Sequence, residues 1–102
     1  MGSKNEFPSL SEKEYLIMKL LMDEGEMFGL EMVQESAGEL KKGTIYVTLQ
    51  RMEEKNLVAS DEEKRAASEN GIARRFYTPT NWGERVYKAQ EIALKYLNMG
   101  GW

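Results

Sequence analysis

The sequence predicts a single α+β domain, mostly helical, in which three helices are followed by a two-stranded ribbon and a longer final helix. Three observations carry this. Apolar residues recur at helical spacing in four separate stretches, closed by glycine or asparagine. Between the third and the fourth lie two short runs, LVAS and IARRFYT, separated by a charged segment that ends in an Asn70-Gly71 turn signal. At 102 residues the chain has room for one core only.

Residues 1–10 are polar with one proline and read as a flexible lead-in. Ser11-Glu12-Lys13-Glu14 is a capping box, the serine hydroxyl taking the amide of Glu14 while the Glu14 carboxylate reaches back. The first helix then runs to about Asp23 and closes at Gly25. Leu16, Ile17, Leu20 and Leu21 lie on one face and Tyr15, Met18 and Met22 on another. A second, short helix spans Phe28 to about Ala37, with Leu30, Met32 and Val33 as its apolar set and Gly38 as its stop. In the third, Ile45, Leu49 and Met52 recur at i, i+4, i+7, and Asn56 ends it. The ribbon, about 57–78, pairs Leu57–Ser60 with Ile72–Thr78. Thr80 caps the last helix, Asn81 to about Asn98, which Gly100-Gly101 ends.

Composition excludes much. With no Cys and no His, the chain has no zinc finger, no imidazole or thiolate metal site, no Ser-His or Cys-His nucleophile and no disulfide framework. Carboxylate, Lys and Tyr chemistry remain, but so small a domain seldom builds the pocket they need, so no enzyme and no cofactor are expected. No apolar run is long enough to span a membrane, and the N-terminus lacks the apolar stretch of a signal peptide; the expected location is cytoplasmic. The formal charge is −3, unevenly spread: residues 1–40 hold nine acids against three lysines, residues 41–80 eight Lys+Arg against six acids. The middle of the chain is its anion-facing part.

Three helices, a ribbon and a long helix is the order of a winged helix-turn-helix (11–80) carrying a C-terminal dimerisation helix (81–102). Residues 10–87 resemble the PadR-like family of bacterial transcriptional regulators, through LSEKEYLIMKLL, FGLEM, GTIYVTLQRMEEKNLV, GIARRFY and the T-x-x-G-E-R-V-Y of Thr80 to Tyr87. Val47 departs from the proline often found there, Asn56 from the usual glycine and Trp82 from an aliphatic residue. The resemblance implies a dimeric, DNA-binding repressor, often relieved by a small molecule.

The residues themselves point the same way. Opposite Ile45, Leu49 and Met52, the third helix shows Gly43, Thr44, Val47, Gln50 and Arg51. Small residues at its start admit the backbone to a major groove, Gln pairs with adenine, Arg with guanine, and Val meets a thymine methyl. Lys41 and Lys42 precede it. Thr44 serves as a cap, as a phosphate contact, or as both; Tyr46, on the flank, either packs beside the core or puts its hydroxyl on a phosphate. Arg74 and Arg75, adjacent on a strand, point to opposite faces, and with Lys64 and Arg65 near the ribbon tip they are expected on backbone phosphates.

The last helix carries Trp82, Val86, Ala89, Ile92, Ala93, Tyr96 and Leu97 on one broad arc, wider than its own domain needs. With Tyr15, Met18 and Met22 it predicts a homodimer interface. Tyr15, Trp82 and Tyr96, with Trp102, are also candidates to line a seat for a flat aromatic effector at the dimer seam, although structural packing is the better explanation of them. Double-stranded DNA with a pseudo-palindromic operator is the expected partner. The rival reading, favoured by the acidic first forty residues, is a winged helix used for protein contacts.

Overall fold

The computed structural model describes residues 9–63 and 74–99. Ser11 opens α1 (Glu12–Glu24) by the reciprocal bonds that the capping box requires: its hydroxyl accepts the Glu14 amide at 3.2 Å, and Glu14 Oε1 accepts the Ser11 amide at 2.9 Å. Gly25 closes the helix with φ of +91°, donating its amide to the Leu21 carbonyl. A two-residue strand, β1 (Met27–Phe28), leads directly into α2 (Gly29–Glu35) and then α3 (Ile45–Glu54). Asn56, at φ of +63°, turns the chain into β2 (Val58–Glu63); β3 (Arg74–Pro79) returns, and α4 (Asn81–Met99) completes the order.

The three strands form one antiparallel sheet in the order β1-β3-β2. Ser60 faces Tyr77 and Glu62 faces Arg75 across β2 and β3, while Phe28 faces Phe76 across β1 and β3. Since alternate residues share a face, Val58, Ser60, Glu62, Arg75 and Tyr77 lie on one side, and Ala59, Asp61, Arg74 and Phe76 on the other. The core sits on the first side. It joins Ile17, Met18 and Leu21 of α1, Met32 of α2, Ile45, Leu49 and Met52 of α3, Val58 and Tyr77 of the sheet, and Val86 and Tyr87 of α4. Burying each such side chain contributes about 1.5–3 kcal/mol.

One charge goes inside with them. Glu14, 5% exposed, accepts Lys55 Nζ at 2.7 Å on Oε2. Burial alone would push its carboxyl up, but the bonds from Lys55 and from the Ser11 amide outweigh it and hold the carboxyl below the ordinary value of 4.5. The pair pins the end of α3 to the start of α1.

Gly83 fixes where α4 meets the rest. A Cβ there would stand far inside contact distance of the Leu57 carbonyl oxygen. Thr80 holds the approach: its hydroxyl donates to the Asn56 carbonyl at 2.6 Å and accepts the Gly83 amide at 2.8 Å, capping α4. Further along, Leu10 and Gln90 exchange two bonds, amide to Oε1 at 2.7 Å and Nε2 to carbonyl at 3.2 Å.

Several expectations are corrected. Phe28 belongs to a strand, not to the second helix; a run of two residues carries no alternation to read. Leu30 is exposed rather than buried beside Met32. The first ribbon strand reaches Glu63, beyond Ser60, because the cross-strand pairs Glu62 with Arg75 and Glu63 with Arg74 extend it. Leu10 is no part of a loose lead-in: it is buried in the core and tied to Gln90. The Asn70-Gly71 turn and the start of the second ribbon strand lie outside the described residues, as do Lys64, Arg65 and Trp102. Among the described residues no helix is long and apolar enough to cross a membrane.

Candidate nucleic-acid interface

The helical period divides α3 cleanly. Ile45, Leu49 and Met52 are at most 1% exposed, while Tyr46, Val47, Gln50 and Arg51 stand in solvent. The turn before it, Lys41 to Thr44, is exposed throughout, so two cations stand in solvent just ahead of the helix whose outer face carries Gln50 and Arg51. Thr44 occupies the cap position but its hydroxyl makes no capping bond, and Thr48 Oγ donates instead to the Thr44 carbonyl at 3.2 Å. The capping half of the expectation for Thr44 is thus corrected. Nothing lies within 4 Å of where a Cβ of Gly43 would stand.

Tyr46 both packs and shows itself. Its ring covers Gly29, where an added Cβ would come within 2.7 Å of the ring edge, yet the residue is 47% exposed. Beside it a groove of about 550 Å³ runs between α2, α3 and the sheet, lined by Phe28, Leu30, Glu31, Gln34, Tyr46, Arg74, Arg75 and Tyr77. It opens where β1 stops opposite Phe76, leaving the far end of β3 uncovered. The place of α2 in this wall was not legible in the sequence, where Leu30 reads as core. Only the missing strand would have exposed the edge.

The wing arginines lie on opposite faces. Arg74 sits over the Phe28 ring, 4.7 Å from its centroid, and Phe28 stands 5.5 Å from Phe76. Arg75 Nη1 donates to Ser60 Oγ at 3.0 Å and Nη2 to Glu62 Oε2 at 3.4 Å, and the Ser60 hydroxyl donates to Glu53 Oε2 at 2.7 Å. Burial pushes the Tyr77 phenol on this face above its ordinary value, Glu53 and Tyr46 adding to the rise against Arg75.

On α4, Trp82, Ile92, Ala93, Tyr96 and Leu97 are exposed, Ala89 is half-buried, and Leu94 adds to the apolar surface. Val86 and Met18, expected at an interface between copies, are buried instead in the core of their own chain. Tyr15 and Met22 are half-buried, and Tyr15 stacks on Tyr87 with ring centroids 5.1 Å apart. Burial, and next Tyr15, push the Tyr87 phenol up to about 12. Trp82 and Tyr96 are fourteen residues apart on one helix, about 21 Å along its axis. Within one chain, then, Tyr15, Trp82 and Tyr96 do not converge on one small planar ligand.

The model of the transcriptional regulator PadR-like family matches residues 17–89. Among solved structures, a PadR family transcription regulator from Clostridium difficile is 30% identical, with a TM-score of 0.69 over 83% of this chain and 88% of that one. A PadR-like transcription factor from Bacteroides fragilis is 27% identical, with a TM-score of 0.72 over 83% and 82% of the two chains. A PadR family regulator from Eggerthella lenta, at 24% identity and a TM-score of 0.69 over 86% and 79%, shares the fold. No curated protein matches significantly.

Proposed function

We propose, from the premise that this chain belongs to the PadR-like family of transcriptional regulators, and is thus a DNA-binding regulator rather than an enzyme, that it represses transcription as a homodimer. In this reading the two α3 helices enter successive major grooves of a pseudo-palindromic site, about one helical turn apart. The observation that carries it is the outer face of α3, where Val47, Gln50 and Arg51 stand exposed behind Lys41, Lys42, Gly43 and Thr44. Gln50 and Arg51 read bases, Val47 meets a thymine methyl, and Lys41, Lys42, Thr44 and Tyr46 take phosphates. Arg74, Arg75 and, outside the described residues, Lys64 and Arg65 add wing contacts that supply affinity without sequence information.

The exposed Trp82, Ile92, Ala93, Tyr96 and Leu97, with half-buried Ala89 among them, support pairing of two copies through α4, with Tyr15 and Met22 at the margin. An aromatic effector then finds its seat only between copies, where residues from both chains close on one ligand. Fluorescence anisotropy tests the DNA reading, using the duplex upstream of the protein's own gene and a scrambled duplex across a salt series. Preference for the native duplex with a steep fall of log affinity against log salt is expected. Gln50→Glu with Arg51→Glu should abolish that preference; a winged helix used for protein contacts would bind neither duplex even at low salt.

A further inference from the structure

Glu53 is at odds with a DNA-facing helix. By charge alone it repels the phosphates that Arg51, two residues earlier, approaches. Its carboxylate, however, accepts the Ser60 hydroxyl at 2.7 Å, and that commits the Ser60 oxygen to accept from Arg75 at 3.0 Å. Arg75 lies diagonal to Ser60 and directly opposite Glu62 on the sheet face that carries Tyr77. A continuous chain of hydrogen bonds thus runs from the last turn of α3 to the wing. The guanidinium is a planar fork, so one anchored N–H on Ser60 and a second on Glu62 fix its plane. The side chain is still 46% exposed and lines the groove beside Tyr46.

We propose that Glu53 and Ser60 are positioning residues for DNA binding, holding Arg75 against α3 so that its guanidinium meets a backbone phosphate flanking the groove that Gln50 and Arg51 read. The inference rests on the DNA reading above. The Arg75–Glu62 pair is the exchangeable member: at 3.4 Å, with both side chains about half in water, it is weak, whereas a phosphate offers the fork two oxygens. The Ser60 bond persists through the exchange and keeps the aim, and Glu53 strengthens that bond by polarising the hydroxyl.

The test uses the full chain and a duplex recovered by selection from a random-sequence library, with affinity followed over a salt series and melting temperature measured in parallel. Arg75→Ala should weaken binding about tenfold and lower the slope of log affinity against log salt by about one. Ser60→Ala and Glu53→Ala should reproduce most of that slope loss, and Ser60→Ala combined with Arg75→Ala should be no weaker than Arg75→Ala alone. Glu53→Gln, whose amide oxygen still accepts the hydroxyl, should keep the slope. A residue that only supports the fold lowers the melting temperature and leaves the slope unchanged. Full slopes in Ser60→Ala and Glu53→Ala beside a lost one in Arg75→Ala would overturn the proposal, as would tighter binding by Glu53→Ala. Should Arg75→Ala bind normally while Arg51→Ala fails, the DNA reading stands and the positioning role falls; if selection recovers no duplex, both fall.

Discussion

Gly83 and Gly43 make opposite demands on the same substitution. Gly83→Ala drives a methyl group into the Leu57 carbonyl, a backbone atom that cannot rotate away, and should destabilise the fold by roughly 3 kcal/mol in urea unfolding. Gly43→Ala meets open space and should leave stability within about 0.5 kcal/mol, while DNA affinity falls because the added methyl stands between the α3 start and the groove. Glu14 sets an acid limit. Its carboxyl is held below 4.5 in the fold, so its stabilising effect is complete above that pH and is lost as pH falls from there through the lowered folded value. Glu14→Gln should therefore weaken the protein at pH 7 by about 1 kcal/mol, the Lys55 end being half in water, and flatten the acid side of its stability profile. The Ser11-Glu14 box was legible because a cap is a local pattern of four residues. The second partner of Glu14 was not, since Lys55 arrives from 41 residues away.

At the scale of elements, what could be read was what repeats. α3 shows three turns of one period, and its buried set came out as Ile45, Leu49 and Met52. β1 has two residues and no period, so its pairing with β3, and with it the groove under Tyr46, appears only in three dimensions. Met18 misled for a related reason: helical spacing places a residue on a face but does not say what covers the face, and here α1 is covered on both sides by its own chain. The α4 helix changes character along its length, buried at Val86 and Tyr87 and exposed from Ile92 to Leu97. Substituting Ile92→Glu with Tyr96→Glu on the exposed half should leave unfolding by urea nearly unchanged for the single chain, yet convert a sedimenting dimer into a monomer at micromolar concentration. A monomer in the unsubstituted protein would refute pairing through α4.

For the molecule as a whole, the expected division at residue 80 into a DNA-binding part and a dimerisation helix is not a division of the core. Val86 and Tyr87 close the hydrophobic interior, Gly83 lies against Leu57, and Gln90 holds Leu10 by two bonds across 80 residues of sequence. Removing α4 should therefore unfold the remainder rather than release a working monomeric module, seen as loss of the cooperative thermal transition. The clamp between Leu10 and Gln90 bears also on how the protein is made. The ribosome delivers Leu10 ahead of Gln90, so the core that carries α3 cannot close until Gln90 has emerged. A chain abandoned before Gln90 lacks both the wall that α4 supplies and the anchor for Leu10, and should meet the cell's proteases as an unfolded polypeptide.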